Sequence, residues 1–217
     1  MVKKYYGQKP EIIKRLKIEF KEMVFYQYLP IKMNGMTGFN LEERLQPFCD
    51  LITECSIDYN NCFGAEQFKE AYVYLTVKRQ YISKEKSMNR PGYHSDGFLT
   101  NDINYIWCDV NPTIFNKSKF NLTLDDEISL LEMEKQANPE NDFHHAANTI
   151  LRLDQFNIHK VNDLSNYEGM RTFAKVSFSK DKYNLEGNSH NYQIDYDWEM
   201  KPRKKQRNIP QILKLKK

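Results

Sequence analysis

In the string HSD, His94 and Asp96 stand two residues apart, the spacing that puts side chains of an extended strand on one face. An imidazole and a carboxylate aimed at one point are a pair of metal ligands. A third ligand must come from elsewhere, and His159 of FNIHKV lies in another strand-like segment. Two neutral imidazoles and one carboxylate on one side of an ion leave coordination positions open, a set suited to ferrous iron and oxygen chemistry. Beyond His159, Arg171 opens RTFAKVSFS. On a strand, Arg171, Phe173, Lys175 and Ser177 share one face, and Thr172, Ala174, Val176 and Phe178 share the other. Cations turned into a protein interior need an anion, and a planar guanidinium pairs with a carboxylate better than an ammonium does.

An HxD dipeptide pattern is sparse, so each of these residues also has a structural reading. His94 and Asp96 form a hydrogen-bonded loop pair beside Pro91 and Gly92 if no metal binds. Arg171 could pair with an internal acid, Asp109 or Asp154. His144 and His145 are adjacent and cannot both face one point, although one of them could replace His159. His190, in the polar string GNSHNYQ, reads as exposed. Arg79 and Tyr81 precede HSD on one strand face and are candidates for contact with a cosubstrate. Tyr105 and Trp107 share a face on the strand after it, and with Asn89 and Arg90 of the intervening loop they are candidates for a substrate pocket; for both pairs, Arg79 with Tyr81 and Tyr105 with Trp107, core or sheet packing is the commoner role.

The elements that must hold these residues are mostly strands. Ala71–Ile82 and Ile103–Val110 are rich in Tyr, Val, Ile and Trp and read as strands, as do 149–161 and 170–179, with Phe120–Leu124 as a further short one. Asp125 and Asp126 open a helix that ends before Asn138 and Pro139. In the first third, Ile13, Leu16, Phe20, Met23 and Val24 recur at helical spacing and predict an amphipathic helix over Pro10–Val24. A second helix follows Asn40 as cap, with Pro47 tolerated or splitting it. There is no βαβ alternation, glycine-rich phosphate loop or internal repeat. The expected fold is mainly β with flanking helices, a jelly roll. It is one domain over 1–200, whose helical part is about 1–68, followed by a basic tail over 201–217.

The 217 residues, 40% hydrophobic and 28% charged, exclude wholesale disorder and leave enough chain for a core. No apolar run is long enough to span a membrane and the N-terminus lacks a signal peptide, so the chain reads as soluble and cytoplasmic. The four cysteines form no CxxC pair and read as reduced thiols in or near the core. Eight of the 32 basic residues fall in the tail, which holds no acid, leaving 24 basic against 29 acidic residues in the body. That balance argues against a nucleic-acid footprint on the folded part and allows weak phosphate contact only through the tail.

The order HxD, distant His, then Arg on the following strand resembles the iron(II)- and 2-oxoglutarate-dependent dioxygenases, over roughly residues 70–180. The resemblance implies a double-stranded β-helix, a cupin-like jelly roll. Fe(II) would be held by His94, Asp96 and His159, and the distal carboxylate of 2-oxoglutarate by Arg171. Oxidation of the cosubstrate to succinate would be coupled to hydroxylation or demethylation of a substrate that the sequence does not identify. Members of the family often carry Ser or Thr two residues beyond the anchor, where Phe173 stands here; Lys175 followed by Ser177 fits that smaller pattern. A cupin-like protein that binds a metal or small molecule without oxidation, and a nucleic-acid-associated protein acting through its tail, are the alternatives.

Overall fold

A computed structural model of the chain describes residues 4–83, 88–89, 91–162 and 166–203. Two antiparallel sheets face each other. The larger runs, in spatial order, β1 (Glu11–Arg15), β7 (Thr149–Leu153), β4 (Ile103–Cys108), β9 (Gly169–Ser179), β3 (Tyr72–Ile82) and β2 (Val24–Lys32). The smaller runs β6 (Asp142–His144), β5 (Ile114–Asn116) and β8 (His159–Lys160), and a bridge between His94 and His159 adds the HSD segment to its edge. From β3 onward the chain crosses between the sheets at nearly every step, which makes the assembly a jelly roll.

β3 and β9 pair along their whole length, from Tyr72 opposite Ser179 to Ile82 opposite Gly169. Both are central and covered on two sides, so their sequences read as near-continuous runs of Tyr, Val, Leu and Phe. The outer face of the larger sheet is closed by α1 (Cys49–Phe63) and α2 (Ala65–Glu70). Leu51, Ile52, Cys55 and Tyr59 of α1 join Val73, Leu75, Val77, Ala174, Val176 and Phe178 in the main apolar core. At about 1.5–3 kcal/mol for each large side chain fully buried, this layer supplies most of the driving force. α3 (Asp126–Gln136) starts where the Asp125 carboxylate accepts the amides of Glu127 and Ile128, and its Met133 packs with Tyr93, Phe120 and Ile158.

Several expectations are corrected. Pro10–Val24 is not a helix: Glu11–Arg15 pairs with β7, and Val24 opens β2 against β3. Leu16, Ile18 and Phe20 do reach the main core, but as alternate residues of an extended stretch, and the sheet edges supplied pairing that outweighed the helical spacing. The first third therefore holds two strands besides its helices. Asn40 caps nothing; its backbone amide donates to Ile31 O, while Pro47 lies in a 3-10 turn over Glu43–Phe48 that leads into α1, so the proline falls before that helix. Phe120–Leu124 forms no strand, only a single bridge from Phe120 to Tyr6. Among the described residues no helix is long and apolar enough to cross a membrane. Arg90 and residues 204–217 of the basic tail lie outside the described residues.

Candidate metal centre

His94 and His159 are 65 positions apart in sequence and become neighbours through the backbone. Each donates its amide to the other's carbonyl at 2.9 Å, an antiparallel pair that puts both rings on one side with centroids 4.5 Å apart. Asp96 follows at the next same-face position. Gly97, at φ +70°, then turns the chain, and a Cβ there would meet Thr100 Oγ1 at 2.8 Å. The loop is held from behind by Tyr93, whose amide donates to Glu134 of α3 and whose hydroxyl donates to Asp142.

One donor atom from each of His94, Asp96 and His159 lies within 4.8 Å of the other two. Ligands sharing one face of an ion, each about 2.1 Å from it, stand about 3 Å apart, so the three side chains draw together when an ion binds. The imidazoles are already oriented: Nδ1 of His94 faces Gly92 O at 2.9 Å and Nδ1 of His159 faces Asn157 O at 3.0 Å. A carbonyl only accepts, so each Nδ1 carries the proton and each Nε2 keeps its lone pair for a metal. Burial pushes the His159 imidazole below its ordinary pKa, against the pull of the Asp96 carboxylate, which keeps it neutral. Burial alone would raise the Asp96 pKa, but the Lys175 ammonium holds it well below the carboxylate range. Both are the protonation states a ligand needs, so the donor set fits a divalent ion.

β9 brings two cations to the same interior. Lys175 Nζ lies 3.1 Å from Asp96 Oδ2 and 3.1 Å from the Tyr28 hydroxyl. Arg171 is 1% exposed, with Nε donating to the carbonyls of Val110 and Asn111 and Nη1 3.5 Å from Met88 Sδ. Among the described residues no carboxylate pairs with it: Asp109 takes Arg79 and Asp154 takes Lys4. Its guanidinium leans over Phe173, 5.3 Å from the ring centre, in the direction of Lys175.

Other candidates fall elsewhere. In the β3–β9 register, Arg79 is opposite Thr172 and belongs with Ala174 and Val176 to the face away from His159; Tyr81 shares that face and is 58% exposed. Neither is brought to the metal centre. Tyr105 and Trp107 pair with Val176 and Ala174, so they too lie in the helix-covered core. Their polar atoms are used there, Tyr105 by Asp58 and Trp107 by Leu16 O. The reason is strand parity: Asn104, Ile106 and Cys108 are the β4 residues that face inward. Asn89 adjoins Met88 at the Arg171 end. His144 is exposed, and neither it nor His145 joins the three-residue cluster; His190 is exposed as expected. The sequence reading missed Tyr28, which lies in a bulge of β2 at φ 49° with its amide on Thr76 Oγ1. Nothing in the local sequence marks that bulge.

No protein-family model and no curated protein matches the sequence. Solved structures similar to this chain include EvdO2 from Micromonospora carbonacea var. aurantiaca, at TM-score 0.40 and 12% identity, with 59% of each chain covered. EvdO2 complexed with 2-oxoglutarate matches at TM-score 0.39 and 10% identity, over 70% of this chain and 76% of that one. An oxidoreductase of the 2OG-Fe(II) oxygenase family from Burkholderia pseudomallei matches at TM-score 0.36 and 14% identity, over 71% of this chain and 66% of that one. The match thus spans 59% of the length of the first EvdO2 structure.

Proposed function

We propose that the chain is an iron(II)- and 2-oxoglutarate-dependent oxygenase with His94, Asp96 and His159 as metal ligands. The observation that carries this reading is the convergence of one ligand atom each from His94, Asp96 and His159 within 4.8 Å, inside a jelly roll that also buries a guanidinium with no carboxylate partner among the described residues. A ferrous ion there would supply oxygen activation, driven by oxidation of 2-oxoglutarate to succinate and carbon dioxide. The chain's own residues supply the rest. His94 and His159 are fixed by carbonyls behind them. Lys175 keeps Asp96 ionised and turned toward the imidazoles.

Arg171 is the residue that binds the distal carboxylate. Its burial supports it: among the described residues no carboxylate pairs with the Arg171 guanidinium, while Lys175 takes Asp96. A carboxylate of the cosubstrate answers that cation, and a guanidinium offers it two parallel hydrogen bonds. The four free thiols fit a reducing, cytoplasmic compartment.

The test is succinate formation from 2-oxoglutarate with ferrous iron and air, which requires no substrate. Wild type produces succinate slowly, and His94→Ala and His159→Ala produce none. Wild-type protein that binds iron yet forms no succinate contradicts the oxygenase reading and leaves a metal-binding jelly roll.

A further inference from the structure

After β9 the described residues 180–203 form no long element but are fastened beside β2. Ser189 N donates to Gln27 O, Gln27 N to Ser189 Oγ, and Asn191 Nδ2 to Pro30 O and Asn40 O. Behind these clamps lies a cavity of about 330 Å³ whose lining includes Tyr28, Tyr183, Tyr196, Trp198, His190 and Glu186. The rings brace one another: Tyr28 meets Tyr183 edge-on at 5.0 Å, Tyr196 meets His190 at 4.5 Å and Trp198 at 4.7 Å. A wall held this way is pre-organised.

Two features define what such a cavity takes. Aromatic rings attract cations through their electron-rich faces, as Lys182 Nζ already shows 6.0 Å from the Trp198 ring centre. Glu186 is the one acid in the lining, and cations already sit around it: Lys175 over the Tyr28 ring at 4.8 Å, Lys182 over Trp198, and Arg203 donating to Glu186 O and Asn188 Oδ1. The ring faces and the Glu186 carboxylate are the features of the lining that favour positive charge. A third feature defines where it leads: Tyr28 lines the cavity while its hydroxyl touches Lys175, which touches Asp96. Tyr28 keeps a left-handed backbone, φ 49°, in mid-strand, strain that the β2 bulge retains to aim this ring.

We propose that this aromatic cavity is the substrate-recognition site and that it takes an organic cation, a substituted ammonium group. Its role toward the substrate rests on the oxygenase reading; its affinity for the cation does not. The probes are choline and its uncharged carbon isostere 3,3-dimethyl-1-butanol, titrated by calorimetry and by tryptophan fluorescence. Choline binds metal-free wild type and His94→Ala equally, about tenfold more tightly than the isostere, the ratio expected from a cation–π contribution of about 1.4 kcal/mol. Trp198→Leu weakens choline about tenfold. Glu186→Gln, an exposed change that leaves the ring packing intact, weakens it severalfold. Equal binding of the isostere, or no binding of choline, overturns the proposal whatever the metal does. Choline also shifts the visible absorption of the ferrous 2-oxoglutarate complex through Tyr28 and Lys175. A band that stays put while choline is bound overturns the role in substrate recognition.

Discussion

The two faces of β9 are buried alike and built for different ends. One presents Thr172, Ala174, Val176 and Phe178 to the helices; the other presents Arg171, Phe173, Lys175 and Ser177 to the smaller sheet. On the first, apolar side chains interlock, with Phe178 stacked on Tyr59 at 4.2 Å. On the second, the interior gives up apolar contact to hold two cations, one of them without an acid among the described residues. Burying charge costs stability unless it is paired, and an anionic ligand would offset what the carbonyls of Val110 and Asn111 leave of that cost at Arg171. Stability is concentrated on one side of the strand and chemistry on the other.

The largest expected effect breaks the comparison from the apolar side. Phe178→Ala lowers unfolding stability by about 3–5 kcal/mol in urea or thermal denaturation, through lost burial and the cavity left behind. Folded Phe178→Ala still binds metal. On the opposite face, Arg171→Met removes a buried charge together with its hydrogen bonds to the carbonyls of Val110 and Asn111, opposing effects that keep stability within about 1–2 kcal/mol of wild type. It raises the KM for 2-oxoglutarate about ten- to a hundredfold, equivalent to the 1.5–3 kcal/mol of a charge-assisted pair. Marked loss of stability in Arg171→Met would make the residue structural and erase the contrast.

Lys175→Met sharpens the contrast by pH. In wild type, burial raises the Asp96 pKa but Lys175 more than reverses this, so the carboxylate stays ionised far into acid. Without the ammonium its pKa rises, and protons compete with metal at higher pH. Metal titrations of Lys175→Met at decreasing pH therefore lose affinity earlier than wild type. The smallest effect is that of Tyr105→Phe, which removes the 2.7 Å hydrogen bond to Asp58 and costs about 1 kcal/mol of stability. It leaves the KM for 2-oxoglutarate untouched, as its place in the helix-covered layer requires.

What the sequence disclosed follows the same division. Strands β3, β4 and β9 were legible because central strands concentrate β-branched and aromatic residues, and the parity of β9 sorted Lys175 from Val176. His94, Asp96 and His159 were legible as an ordered set. Parity put Arg79 with Tyr81 and Tyr105 with Trp107 on shared faces, but composition identifies a strand without saying which face turns inward; the pairing of Trp107 with Ala174 does. The edge strands β1 and β2 were hidden because Ile13, Leu16 and Phe20 happen to satisfy helical spacing, and distant pairing partners, Leu151 for Ile12 and Arg79 for Val24, leave no local mark. Tyr28 was hidden by its bulge, which shifts the register by one residue.

The most direct measurement is an anaerobic titration of ferrous protein with 2-oxoglutarate, followed by visible absorption. Wild type develops a weak charge-transfer band that saturates with cosubstrate, His159→Ala develops none, and Arg171→Met needs a far higher concentration to reach the same intensity. A featureless spectrum from folded, iron-loaded wild type, or an equal band in His159→Ala, contradicts the assignment of the three ligands and their cosubstrate.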